Sequence, residues 1–85
     1  MRIRVTGSKW VSGSGWSYTE CLDTMEVNSI GEVEAAAKSY AAEFAGNYGK
    51  LLGEKEDYQL RFYADEGLQN SLVTIWMSDA IAQVK

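Results

Sequence analysis

The side chains of this chain that could do chemistry are its carboxylates, one thiol and a set of aromatic rings. The sequence has no histidine and a single cysteine, Cys21. Without histidine there is no Ser-His-Asp or Cys-His catalytic arrangement, and a ligand that most zinc sites use is missing. We therefore expect neither a metal site nor a cofactor, and we expect the chain not to be an enzyme.

Two acidic clusters could in principle act as a pair on a glycoside. Glu54, Glu56 and Asp57 precede a predicted strand over 58–64, and the acidic pair 65–66 follows it. A strand of that length spans roughly 23 Å, whereas the two carboxyl groups of a glycosidase lie within about 10 Å of each other. The clusters are therefore predicted to be separate, solvated turns.

Two other features have ordinary structural explanations. Cys21 lies beside Glu20 and close to Asp23, with no neighbouring cation to activate the thiol, so we expect a small buried hydrophobe. In the segment 13–15, Gly13 and Gly15 match the first two glycines of a dinucleotide-binding loop. However, Tyr18 stands where the third glycine is needed, and strand-like residues follow where a helix must begin. This segment is therefore predicted to be a β-turn.

Aromatic side chains near the start of the chain favour a binding surface. Trp10, Trp16 and Tyr18 lie close in sequence to three cations within the first nine residues. Aromatics beside cations can stack nucleic-acid bases, but Trp and Tyr are also enriched at protein interfaces, and core packing explains the same pattern. Of the two binding functions the protein interface is favoured, because three cations are few for holding a phosphate backbone.

The partner-binding residues are predicted on the second strand and in an acidic turn. In a regular strand, Trp16, Tyr18 and Glu20 share one face because of their two-residue spacing. If the helix leaves that face free, it offers an aromatic anchor beside a charge. The acidic turn completes the predicted set with Glu54, Glu56 and Asp57. The alternative is that Trp16 and Tyr18 point into the core and only the acidic turn touches a partner.

Charge is unevenly distributed along the sequence. The formal net charge is −4, yet the first nineteen residues contain no acid, and the remainder has twelve acids against five bases. Sequence-independent affinity for nucleic acid comes from Lys and Arg that release counterions. We therefore expect no direct binding of nucleic acid, and a protein partner with a basic surface instead.

Length and composition limit the chain to one small domain. Its 85 residues, 46% of them apolar, form too short a chain for two cores and are predicted to fold as a soluble globule, residues 1–85. The lone cysteine favours a reducing cytoplasm, and no apolar run suits a signal peptide or a membrane span. A domain of this size is marginally stable, so a homodimer is an open alternative.

Alternation of apolar and polar residues predicts four strands. The first covers 3–5 and extends to 11, the second begins at Trp16 with an irregularity near 21–23, and the others cover 58–64 and 72–77. The composition of the fourth strand, β-branched and aromatic, favours a central place in the sheet. Residues 79–84 are either a helical turn or a last strand, with the helix preferred.

Apolar residues at spacings of three and four predict one long helix over 30–45. A capping box at Ser29 and Glu32 would begin it, and Gly46-Asn47 or Gly49 would end it in a left-handed conformation. The expected buried stripe contains Val33, Ala37, Tyr40 and Phe44. The predicted fold is therefore α+β, in the order β-β-α-β-β, with the helix packed on one face of a small antiparallel sheet.

The segment from Glu26 to Lys38, a strand end leading into a capped, alanine-rich helix, is followed by two hydrophobic strands. In this order of elements, in size and in acidity the chain resembles the small anti-CRISPR inhibitors of phages and mobile elements. The resemblance implies a non-enzymatic inhibitor that acts in the host cytoplasm. Such an inhibitor binds a nucleic-acid-handling CRISPR–Cas component and blocks its nucleic-acid site or its conformational change. The alternative is a small dimeric domain that binds or sequesters a small-molecule ligand.

Overall fold

A computed structural model describes residues 1–64 and 71–84, which form one antiparallel sheet and two helices. The elements are β1 Arg2–Val11, β2 Gly15–Glu26, α1 Val33–Tyr48, β3 Glu56–Tyr63, β4 Ser71–Trp76 and α2 Met77–Val84. Short 3₁₀ turns, Ile30–Glu32 and Gly49–Leu51, flank α1. The α+β class and the short C-terminal helix are confirmed. The acidic pair predicted to form a turn at 65–66 lies outside the described residues.

The four strands are arranged in the order β2-β1-β3-β4, and every neighbouring pair is antiparallel. The prediction that the fourth strand is central is wrong, because β4 forms an edge. Its apolar residues have a different explanation: Val73 and Ile75 pack, partly buried, against the core beneath the helices.

Helix α1 lies across one face of the sheet, which we call the helix face. Its buried positions, Val33, Ala37, Ala41 and Ala45, recur every four residues. Alanine at three of them lets the helix approach the sheet closely. The core beneath contains Ile3, Val5, Tyr58, Leu60, Phe62 and Met77. The predicted helix is confirmed, although Tyr40 and Phe44 are only partly buried at the border of the core.

Both ends of α1 differ from the predicted caps. The Ser29 side chain makes no capping hydrogen bond, and the Glu32 carboxylate accepts a bond from the Asn28 N–H, 3.1 Å long. At the other end, Gly46 lies inside the helix and Gly49 is right-handed, with φ of −59°. The chain continues directly into the second 3₁₀ turn, so no left-handed stop is needed.

The irregularity predicted in the second strand is confirmed, and the structure adds a second one. Val5 pairs with Asp23 and Thr6 pairs with Cys21, which leaves Leu22 as an extra residue in β2. Cys21 is exposed, not buried as predicted. The reason is that β2 is an edge strand and Cys21 lies on the face that neither α1 nor α2 covers.

The second irregularity changes which residues share a face. Lys9 pairs with Tyr18 and Trp10 pairs with Trp16, so Ser17 is the extra residue. Neighbouring residues of β1 point to opposite faces, and their partners must do the same. The prediction that Trp16 shares a face with Tyr18 and Glu20 is therefore wrong: Trp16 lies on the uncovered face and the other two on the helix face.

Candidate binding groove

A groove runs along the helix face between β2 and the C-terminal half of α1. It consists of two adjoining cavities of about 310 Å³ each, which share Phe44 and Tyr48. We call it the β2–α1 groove. Five aromatic rings line it, those of Tyr18, Tyr40, Phe44, Tyr48 and Tyr58, together with three carboxylates, those of Glu20, Asp23 and Glu43. The cavities are of the size at which small-ligand sites begin.

The aromatic wall of the groove is continuous from α1 to β3. Phe44 stacks on Tyr58 with ring centroids 5.5 Å apart, and its centroid is 4.7 Å from that of Tyr48. Tyr40 stacks on Phe44 at 6.2 Å. Tyr18 and Tyr48 are each about half exposed, at 48% and 50%. The groove therefore offers aromatic surface that is open to a ligand.

One hydrogen bond fixes a carboxylate in the groove. The Tyr58 hydroxyl reaches from β3 across β1 and donates to Glu20 on β2, at 3.0 Å. It crosses β1 at Gly7, where a Cβ atom would overlap the Tyr58 ring. Burial, and then the bond to Glu20, raise the pKa of Tyr58, which keeps the phenol protonated as a donor. Glu20 stays exposed and retains further acceptor capacity.

The cation that lines the groove, Lys9, is already paired. Its Nζ lies 2.6 Å from the Glu56 carboxylate. This hydrogen bond raises the pKa of Lys9, and together with a bond from the Gly53 N–H it lowers the pKa of Glu56. Three carboxylates therefore face the groove without a compensating cation among the residues that line it in the described structure.

The acidic turn predicted to bind a partner is used mostly within the protein. Glu56 is held by Lys9 and Gly53. Asp57 accepts bonds from the Ser78 N–H and the Ser78 hydroxyl, at 3.1 and 2.8 Å, and so caps α2. Glu54 is exposed. Of the predicted set, Tyr18 and Glu20 lie together in the groove and Trp16 lies on the opposite face. The three acidic residues of the turn do not line the groove, although Glu56 pairs with Lys9 at its border.

Several residues that line the groove are not among the predicted site residues. Tyr40, Glu43 and Asn47 line the second cavity at spacings of three and four along α1. That spacing is visible in the sequence and could have marked a polar strip beside the apolar stripe. The spacing in the sequence could not reveal Asp23, because the extra residue Leu22 determines which face of the sheet the Asp23 side chain points to. Burial, and then the charge of Asp23, raise the pKa of Tyr40.

The groove is therefore suited to binding an organic cation beside apolar surface.

In the part of the chain that the structure describes, no group of three or more Asp, Glu and Cys side chains is placed to hold a metal ion. Residues 1–64 and 71–84 contain no helix that is long and apolar enough to cross a membrane. Comparisons with protein-family models, with curated proteins and with solved structures gave no match to this chain.

Proposed function

We propose that this chain is a non-enzymatic protein-binding domain that recognises a basic segment of a partner in the β2–α1 groove. The observation that carries the proposal is the meeting of three carboxylates with an aromatic wall. Glu20, Asp23 and Glu43 line it, and its cation Lys9 is paired with Glu56. Charge complementarity of this kind selects a cationic partner and accelerates its association.

An arginine side chain fits this chemistry better than a lysine does. The guanidinium is planar and can form two parallel hydrogen bonds to one carboxylate, here that of Glu20. Its flat face also stacks on aromatic rings, and Tyr18 and Tyr48 are exposed at the groove. Tyr58 holds Glu20 in place beforehand, which lowers the ordering cost of binding.

The biological role that we propose is inhibition. Proteins that bind nucleic acid expose Lys and Arg to the phosphate backbone. A small acidic domain that occupies such a surface competes with the nucleic acid for it. The resemblance to anti-CRISPR inhibitors supports this role and suggests a CRISPR–Cas component as the partner, in the cytoplasm of a host cell.

The recognition chemistry is tested with a matched pair of peptides. We expect a labelled arginine-rich peptide to bind in fluorescence anisotropy, and the same peptide with citrulline, which is neutral but nearly isosteric, to lose affinity. Glu20→Gln should weaken binding at least tenfold, about 1.4 kcal/mol. The control Glu34→Gln removes the same charge from the exposed surface of α1 and should change affinity less than about twofold. If both variants weakened binding equally, the groove would not be the site that binds the peptide.

The inhibitor role has its own test. In a mobility-shift assay, the wild-type protein should reduce nucleic-acid binding by a CRISPR–Cas effector complex. The triple variant Glu20→Gln, Asp23→Asn, Glu43→Gln should not. Charge reversal at Glu54 examines the acidic turn separately and should leave inhibition unchanged. If arginine-rich peptides bind but no effector type responds, the domain recognises basic segments and the anti-CRISPR role is wrong.

A further inference from the structure

The face of the sheet opposite α1, which we call the open face, carries all three tryptophans of the chain. They come from three strands. The Trp16 ring meets Trp10 edge-on at 4.9 Å and stacks on Trp76 at 5.7 Å. Even so, Trp16 remains 46% exposed. The Arg61 guanidinium lies over Trp16, 5.6 Å from its ring centroid. A planar cation on an exposed aromatic ring is therefore part of this surface.

Two arginines are neighbours in the middle of the open face. Arg61 pairs with Thr6, and Arg4 is the next residue on the same face of β1, so the two side chains are diagonal neighbours. No ion pair joins either of them to a carboxylate of the described chain. The Arg61 Nε donates to the Gln59 amide oxygen, whereas the Arg4 Nε is buried and has no hydrogen-bond partner among residues 1–64 and 71–84.

A second buried polar group lies between these arginines. Thr6 is 1% exposed, and its hydroxyl has no hydrogen-bond partner in the part of the chain that the structure describes. Buried polar groups are normally paired, and leaving one unpaired is costly. Among the described residues, the Arg4 Nε and the Thr6 hydroxyl thus lack a hydrogen-bond partner. These two atoms are themselves buried, but Arg4 and Arg61 are each partly exposed, so an oxyanion can approach this row through the two arginines.

The open face differs in charge from the rest of the protein. Its described carboxylates are at its ends and are engaged: Glu26 pairs with Arg2 at 3.6 Å, and Asp57 caps α2. Glu20, Asp23 and Glu43, which form no ion pair within the described chain, line the groove on the helix face. The expectation that nucleic acid is not a partner rests on the charge of the whole chain. That charge does not describe the open face.

We propose that the open face binds short single-stranded nucleic acid. Bases stack on the exposed Trp16 ring and on the planar Arg61 guanidinium, and phosphates bind Arg4 and Arg61. A second copy of this chain is disfavoured as occupant, because two open faces would bring four arginines together. An acidic polypeptide offers carboxylates but not a ring beside each charge, so the alternation of stacking surface and cations favours a nucleotide chain.

Tryptophan fluorescence reports selectively on this site, because every tryptophan lies on the open face and none lines the groove. Titration with a short oligothymidylate at low salt should quench this emission and reach saturation. Two phosphate contacts predict a slope of log affinity against log salt of about −1.4. The absence of a saturable change at low salt would overturn the proposal.

Matched variants separate a local site from general electrostatics. Arg4→Gln with Arg61→Gln should weaken binding at least tenfold. The control, Lys38→Gln with Lys50→Gln, makes the same change in net charge outside the open face and should have less than about a twofold effect. Circular dichroism checks that each variant is folded. If the arginine double variant is unfolded, Arg61→Lys replaces it, since lysine keeps the charge but loses the planar stack, and should weaken binding threefold or more.

Two further outcomes would also overturn the proposal. One is an equal loss of affinity in the arginine and lysine double variants. The other is displacement of the oligothymidylate by polyglutamate at equal or lower concentration, which would make the open face a site for acidic protein segments. The proposal is independent of the function assigned to the groove, and a groove variant such as Glu20→Gln should leave oligothymidylate binding unchanged.

Discussion

Gly7 decides whether the groove can exist as it is. Its lack of a side chain lets the Tyr58 hydroxyl pass over β1 to Glu20. Gly7→Ala should lower the free energy of unfolding by about 1–3 kcal/mol, the usual cost of an overpacked site. Urea unfolding measures this loss. Gly46→Ala is the control, because nothing lies within 4 Å of its added Cβ inside α1, and it should stabilise by about 0.5–1 kcal/mol. Equal stability of Gly7→Ala and wild type would contradict this packing.

The protonation of Tyr58 predicts how stability depends on alkaline pH. In the unfolded chain tyrosine ionises near its ordinary pKa of about 10, whereas burial and Glu20 raise the pKa of Tyr58 in the folded state. Above pH 10 the unfolded chain therefore loses a proton that the folded protein keeps, and stability falls as pH rises.

Urea midpoints at about pH 8 and pH 11 measure this loss. Tyr58→Phe removes the ionisable group and should reduce the loss. It should not abolish it, because the pKa of Tyr40 is also raised. An identical alkaline loss in wild type and Tyr58→Phe would show that Tyr58 has no part in it.

Glu56 and Asp57 show what the sequence could not reveal about single residues. Their composition marks an acidic turn, which is correct. Their partners Lys9 and Ser78 are far away along the chain, and only the fold brings them within hydrogen-bond distance. Exposed carboxylates that bind a partner and carboxylates that tie elements together therefore look alike in sequence.

Among the packing contacts between elements, those of one aromatic residue, Phe44, join α1 to β3 beside the groove. Phe44 contacts Tyr40, Tyr48 and Tyr58, beside a stripe that is otherwise mostly alanine. Phe44→Ala should cost about 3 kcal/mol, at the low end for phenylalanine because the ring is only partly buried. Thermal unfolding measures this loss, with Ile30→Ala as control. Ile30 is 64% exposed, so its truncation should change stability by less than about 0.5 kcal/mol.

The elements themselves were largely predictable, and their faces were not. Periodicity located α1 and all four strands, since those patterns are local. The extra residue Ser17 gave no signal, because a bulge depends on the pairing with β1 and not on β2 alone. That one residue moved Trp16 away from Tyr18 and divided the predicted site between two faces. The edge position of β4 likewise depends on non-local pairing.

For the molecule as a whole, the separation of charge predicts the state of association. Exposed Trp16 gives the open face an apolar attraction, whereas Arg4 and Arg61 make two such faces repel. Sedimentation equilibrium at low salt should therefore give the monomer mass of 9.4 kDa. Arg4→Gln with Arg61→Gln should increase self-association. A dimer of the wild-type protein at low salt would show that repulsion between the arginines does not outweigh the attraction between the exposed Trp16 side chains.

The bulged edge strand β2 also affects how the protein withstands aggregation. It has 12 residues at the edge of the sheet, and a strand of that length can recruit other chains into a fibril. Ser17 and Leu22 interrupt its regular row of backbone groups, and Glu20, Asp23 and Glu26 repel an incoming strand at neutral pH. Edge-to-edge growth of fibrils is therefore opposed twice, by the shape of the backbone and by charge.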